Sequence, residues 1–258
     1  MSVRLQVRDA LNPRVGLDPH EAPTKVPSMC GRYSLAKESV EGTVGTEHVR
    51  RRGKPRYNIA PSQRAPVIRR NAQGLVVDEL RWGLIPEWSR DDSIGFSLIN
   101  ARSETLAEKP AFRGAFRSRR CLVLADGFYE WQPLGRSKQP WRFVRGDGGL
   151  LLLAGLWESW QPPGLATPVE SFTVVTTPPN AVVAPIHDRM PACLDPEAAG
   201  LWLDASTAPE VLQAMLRPNP ETDWTRYRVN PVVGQARHDG PECIQEYIEA
   251  LPEQPSLF

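Results

Sequence analysis

Twenty-six of the 258 residues are proline. Each one removes a backbone donor and fixes φ, so it breaks a helix interior and is tolerated in sheets only at edges, bulges and turns. Spread at this density, proline argues against long helices and for short strands joined by loops. A 41% hydrophobic and 24% charged composition is that of a chain able to fill a globular core. The length allows one large domain or two small ones, and no internal repeat divides it. No apolar stretch approaches the ~20 residues that span a membrane. Residues 1–28 have no apolar core of the kind a secretory signal needs.

The pattern along the chain is mostly β. Residues 65–69 and 75–82 read as paired strands, with Asn71 to Gly74 as the hairpin loop. Residues 121–125 form a continuous apolar run and predict a buried strand. Further strands are expected at 141–144 and 150–157, joined by a glycine-rich turn at 145–149, and at 171–177 and 224–229. Residues 57–61 read as a strand stub running into a turn. Helices are expected at 195–203 and 209–216, with a short one at 37–44 that Gly42 and Gly45 weaken. Another is expected to start at 104–107, capped by Ser103. Strands without regular alternation with helices predict a single α+β domain whose mainly antiparallel, barrel-like sheet carries a few flanking helices. That domain covers residues 29–250. Residues 1–28 read as a flexible arm, upstream of the true start or removed, and residues 251–258 as a disordered tail.

Formal net charge is only +1, and residues 1–28 account for it with four Lys/Arg against three Asp/Glu. Global charge therefore does not announce nucleic acid. Two local basic runs, residues 50–56 and 113–120, fit either a solvated face or a binding surface. The four cysteines and four histidines show no metal-ligand spacing. No metal and no cofactor is expected. The cysteines read as free thiols of a reduced, cytoplasmic protein, with Cys121 and Cys193 in the core.

Cys30 follows directly on Met29. If translation starts at Met29, removing that methionine leaves a cysteine with two nucleophiles, a thiol and an α-amine of pKa near 8. Both can bond one aldehyde carbon and close a five-membered ring. Other polar residues stand beside apolar runs, where they cost free energy unless paired or used. His187, flanked by Asp188 and Arg189, suits an acid/base role and equally a histidine satisfied by a carbonyl. Glu130, between Tyr129 and Trp131, has a setting that raises its pKa, or lies on an exposed strand face. Asn100 can orient a hydroxyl or cap a turn. Arg102 and Arg189 can hold phosphates or complete ion pairs. Trp82 and Trp88 can stack on bases or pack in the core.

Taken in order, several stretches resemble the SOS-response-associated peptidase family of abasic-site processing proteins. They include Met29-Cys30-Gly31-Arg32-Tyr33, Arg81-Trp82-Gly83-Leu84-Ile85-Pro86 and Ile99-Asn100-Ala101-Arg102-Ser103-Glu104-Thr105. Ala125-Asp126-Gly127-Phe128-Tyr129-Glu130-Trp131 and Ile186-His187-Asp188-Arg189-Met190-Pro191 continue the match, which spans about residues 29 to 245. The resemblance implies single-stranded DNA bearing abasic sites as partner, at single-strand/duplex junctions among other places. It implies a covalent thiazolidine link through Cys30, with Asn100, Glu130 and His187 at the reacting centre. It implies Arg32, Arg102 and Arg189 on phosphates and Trp82 and Trp88 against bases. The 28 residues ahead of Met29 depart from the family pattern, because they block the amine until they are absent or cleaved. An N-terminal-nucleophile or cysteine hydrolase using Cys30 and His187 is the other reading, and a nucleic-acid binding module with an incidental cysteine is a third.

Overall fold

The structure, a computed structural model, describes residues 30–164, 166–220 and 224–248. The arm and the tail expected at the two ends lie outside them. In chain order the strands and helices are β1 (Tyr33–Leu35), β2 (Ser39–Val44), β3 (Glu47–Arg52), β4 (Arg56–Ile59), β5 (Arg64–Asn71), β6 (Gly74–Trp82), β7 (Asn100–Arg102), α1 (Pro110–Ser118), β8 (Arg120–Ala125), β9 (Gly127–Leu134), β10 (Ser137–Arg145), β11 (Leu151–Trp160), β12 (Val169–Thr177), β13 (Met190–Pro191), β14 (Cys193–Leu194), α2 (Pro196–Leu203), α3 (Pro209–Met215) and β15 (Trp224–Arg228). The three α-helices among the described residues begin with proline at the first turn, where a missing donor costs nothing. None is longer than nine residues, as the proline content demands, and no helix among the described residues is long and apolar enough to cross a membrane.

Five strands close on themselves in the order β12-β6-β5-β8-β11 and back to β12. Every pairing in the ring is antiparallel except β6 with β12, which is parallel. β8 is buried at every position because one face lines the barrel and α1 and α2 cover the other, which is why its apolar run is continuous rather than alternating. A second, antiparallel sheet has the order β15-β10-β9-β1-β4. The chain passes from barrel to sheet between β8 and β9, at Asp126. That crossing is fixed from inside: Asp126 accepts from the Ser34 hydroxyl at 2.7 Å, from the Ala36 amide at 2.6 Å and from Arg142 at 2.9 Å. Within β9, Phe128 and Glu130 share the face that meets the barrel, by the two-residue period of a strand. Phe128 stacks there on Phe143 at 5.0 Å.

β6 and β7 lie end to end along one edge of β12, at Ser171–Phe172 and Val174–Thr176 respectively. The intervening chain, residues 83–99, therefore leaves the strand edge as a loop, buried at Leu84, Ile85 and Ile99 and exposed at Trp88 and Phe96. Its neck closes between Gly83, at φ +120°, and Gly95; a Cβ on Gly83 would sit 2.7 Å from the Gly95 carbonyl oxygen. Only glycine permits both that φ and that approach.

Two local expectations are corrected. Residues 37–44 are not a helix: β2 and β3 form a hairpin turning at Gly45, φ +59°. Val40 and Val44 are buried there and the residues between them exposed, so β-branched side chains on one face outweigh weak helix propensity. Ser103 does not cap a helix over 104–107. It opens a single 3-10 turn, Ser103–Thr105, with no side-chain cap bond. The helix comes later, as α1, which overlaps the basic run at 113–120. Its Phe112, Ala115 and Phe116 face the core while Arg113 and Arg117 face out.

Candidate functional site

Cys30 stands three residues ahead of β1 and is 3% exposed. The register of β1 on β9, Tyr33 opposite Phe128 and Ser34 opposite Gly127, carries the chain backward past Tyr129 to Glu130. The Arg32 carbonyl accepts from the Tyr129 amide at 3.0 Å, and the Cys30 nitrogen donates to Glu130 Oε1 at 2.7 Å. Cys30 has φ +42°, a left-handed conformation that costs an L-residue about 1–2 kcal/mol. The surrounding bonds hold it there.

Glu130 is 2% exposed. Burial pushes its carboxyl up to about 8, and the hydrogen bonds from the thiol and backbone of Cys30 only partly offset this. A carboxyl that titrates near neutrality suits proton transfer. The Cys30 thiol is pushed well above the ordinary range, first by burial and then by the charge of Glu130 and its hydrogen bond.

His187 ends the turn that connects β12 to β13. Its Nε2 lies 3.8 Å from Glu130 Oε2, while Nδ1 is 3.1 Å from Asp188 Oδ1 and accepts from the Arg189 amide at 3.1 Å. Burial lowers its pKa, with Asp188 opposing, so the neutral ring is favoured. Cys30, Glu130 and His187 are thus gathered from three separate parts of the chain. Asn100 is half-buried on β7 opposite Val174.

The residues expected to bind DNA divide. Trp88 is 61% exposed and lines one cleft with Arg113 and Arg117 of α1. Arg102 is exposed. Trp82 is 1% exposed and cannot stack on a base. Its ring lies against Tyr33 and Phe172, and its indole donates to the Ile99 carbonyl at 2.9 Å. Arg189 is also buried, its guanidinium forked on Glu104 at 2.6 and 2.9 Å and bonded to the Thr176 carbonyl at 2.6 Å. Contact with a phosphate would require leaving Glu104. Arg32 is half-buried and reaches the Val233 carbonyl at 2.7 Å and Asn58 Oδ1 at 3.2 Å.

Sequence reasoning gave no role to Asn58, Asp239 or Glu104. Asn58 Nδ2 lies 2.7–3.0 Å from the carbonyls of Val233, Gln235 and His238. Asp239 accepts from the amides of Tyr57 and Asn58 and from Arg56. Together they tie residues 233–239 to β4, beneath the Cys30 segment. The clue was a buried-type neutral amide, Asn58, just ahead of Ile59 and Ala60. Among the described residues no group of three or more His, Cys, Asp or Glu is arranged to hold a metal. The described cysteines are free and buried.

A closed mixed barrel with an antiparallel sheet laid beside it, and a cysteine at the first strand facing a buried glutamate, define the class. The chain belongs to the family described as SOS response associated peptidase (SRAP), which matches residues 29–236. It is 39% identical to abasic site processing protein YoqW of Bacillus subtilis, over 85% of this chain and all of that one. It is 33% identical to abasic site processing protein HMCES of Gallus gallus, over 79% of this chain and 69% of that one. A solved structure of a Bacteroides thetaiotaomicron protein superposes with TM-score 0.69 at 27% identity, over 74% of this chain and 85% of that one. A phage-related protein of Bordetella bronchiseptica gives 0.62 at 32% identity, over 78% and 94%.

Proposed function

We propose that the protein captures abasic sites in single-stranded DNA by a covalent bond to Cys30, protecting the lesion during the DNA-damage response. The observation that carries this is the 2.7 Å contact between the Cys30 nitrogen and Glu130. Once Cys30 is the first residue, whether Met29 initiates translation or the preceding arm is cleaved, that nitrogen is an amine beside a buried carboxyl. Relatives named abasic site processing proteins support the choice of substrate.

The ring-opened abasic sugar presents an aldehyde. Glu130 takes a proton from the Cys30 ammonium, and the free amine adds to the aldehyde carbon. Glu130 then returns the proton to the carbinolamine hydroxyl, which leaves as water and gives a Schiff base. The thiol adds to the same carbon while its proton passes to the nitrogen. The net change is aldehyde plus aminothiol to thiazolidine plus water. The ring removes the Schiff base before β-elimination breaks the strand. His187 assists as the second proton carrier or holds the sugar hydroxyl, and Asn100 orients the sugar. Arg102 lies against phosphate, and Trp88 stacks where single strand meets duplex. A cysteine hydrolase would want its thiol lowered by a neighbouring cation; here burial and Glu130 push the Cys30 thiol up, which favours amine attack.

The test incubates the full chain, and the form beginning at Cys30, with single-stranded DNA carrying one abasic site, followed by denaturing electrophoresis. A band stable to heat and detergent is expected from the shorter form and not from its Cys30→Ala variant. Equal capture by a full chain that verifiably keeps its arm sinks the proposal.

A further inference from the structure

His187 faces two competing partners through one nitrogen. The amide of Arg189 donates to Nδ1 at 3.1 Å, and the Asp188 carboxylate lies 3.1 Å from the same atom. The amide requires Nδ1 to be an acceptor and so places the ring proton on Nε2. The carboxylate favours a proton on Nδ1. These two arrangements differ at the reacting centre, because Nε2 is the atom that faces Glu130. Only an Nε2–H can hand a proton toward that carboxylate.

What decides is rigidity. Asp188 has a side chain 80% exposed, so water satisfies it whether or not it meets the ring. The Arg189 amide belongs to a backbone that is pinned. Its own guanidinium is forked on Glu104 and bonded to the Thr176 carbonyl, and the next residue, Met190 of β13, pairs with Thr177 of β12. The turn over 187–189, in which a side-chain acceptor takes the amide two residues on, has the form that Asx residues use. Glu104 has a side chain 47% exposed, so its carboxylate is open to substitution without emptying the core. It holds Arg189 from a separate segment, the 3-10 turn that follows β7. A planar fork of two parallel bonds fixes direction as well as distance.

We propose that Glu104 is a positioning residue for His187: by clamping Arg189 it holds the 187–189 turn in the form that keeps the ring proton on Nε2, facing Glu130. The inference rests on the reading of Glu130 and His187 as the proton carriers. The charged and titratable groups around the ring are Glu130 from β9, Cys30 ahead of β1, and Asp188 and Arg189 on its own turn. Glu104 acts on the ring through Arg189.

The experiment has two independent arms. Nitrogen-15 NMR of the histidine ring, in the full chain at a pH where His187 is neutral, reads the tautomer without any DNA. The wild type should show Nε2–H, and Glu104→Ala should populate Nδ1–H, with Glu104→Gln between them because it keeps one acceptor. In the second arm, the full chain cleaved ahead of Cys30 is assayed for capture rate. Glu104→Ala should slow capture about tenfold, a part of what general acid/base groups contribute. It should add nothing in a His187→Ala background, since residues acting as one unit are not additive. Arg189→Lys, which keeps charge and loses the fork, should behave as Glu104→Ala. An Nδ1–H wild type, an unchanged tautomer in folded Glu104→Ala and Glu104→Gln, or a further loss on top of His187→Ala would overturn the assignment. A wild type that captures no DNA would instead defeat the proposed function, and the ring-nitrogen signals would still decide this one.

Discussion

The carboxylate of Glu130 and the backbone nitrogen of Cys30, one hundred residues apart, lie 2.7 Å from each other. β1 and β9 are neighbours in the second sheet, and their register brings Glu130 alongside the residues that precede Tyr33. A shift of one residue would turn Glu130 to the opposite face of the sheet. The meeting of Cys30 and Glu130 is thus a consequence of strand register.

Replacing Cys30 by serine keeps the amine and removes the sulfur. With Cys30→Ser, borohydride should trap a Schiff base to the abasic site, and without borohydride no lasting adduct should accumulate. An untrappable variant would remove the amine from the mechanism.

Glu130→Gln removes the proposed proton carrier while keeping the volume. Capture should slow by about 100-fold, within the range for a general acid/base group, as read from single-turnover gels. Stability should move the other way. The folded carboxyl titrates near 8 against an ordinary 4.5, so the folded state binds the proton more tightly. Its contribution is whole below about pH 4.5 and is lost as pH climbs through about 8. The melting temperature of the wild type should therefore fall relative to Glu130→Gln across that window. Parallel pH profiles would contradict the burial argument.

The two tryptophans should separate cleanly. Trp82→Ala empties a core site and should cost about 3–5 kcal/mol of stability by denaturant unfolding. Trp88→Ala, at an exposed loop position, should leave unfolding unchanged and weaken DNA binding by about 1–3 kcal/mol if it stacks on a base.

Arg102→Ala should reduce the salt dependence of binding, lowering the slope of log affinity against log salt by about 0.7 if one single-strand phosphate contact is lost. A slope equal to that of the wild type would take Arg102 off the DNA.

Gly83→Ala should destabilise the loop that carries Trp88. The added carbon meets the Gly95 carbonyl oxygen at 2.7 Å on a backbone of φ +120°. Faster amide exchange over residues 83–98, or faster proteolysis there, would register the opened neck.

Much of the β framework was legible because its signals are local. The 65–82 hairpin announces itself by two apolar runs around Asn71 and Gly74, and β8 by an unbroken apolar run. The 37–44 segment misled because helix propensity and strand alternation are both weak over eight residues, and contact with α2 and β6 settles it. Trp82 and Trp88 look alike in the chain, yet one turns into the barrel and the other rides a loop that leaves the β12 edge. Arg189 reads equally as a phosphate ligand or as half of an ion pair until Glu104 is seen beside it, 85 residues away. Glu130 could equally have been a solvated strand residue.

By itself the sequence determined the 65–82 hairpin, the buried β8 and the shortness of the helices, because proline spacing and apolar runs act over a few bonds. It also placed a cysteine directly after a methionine, Met29-Cys30, since that is a matter of adjacent residues. Tertiary structure alone decided which polar residues share one small volume. Burial raises the Glu130 carboxyl, the Arg189 amide bonds His187 Nδ1, and Glu104 pairs with Arg189. The first and third depend on strand pairing and loop closure between segments far apart in the chain, and no local pattern encodes such distances.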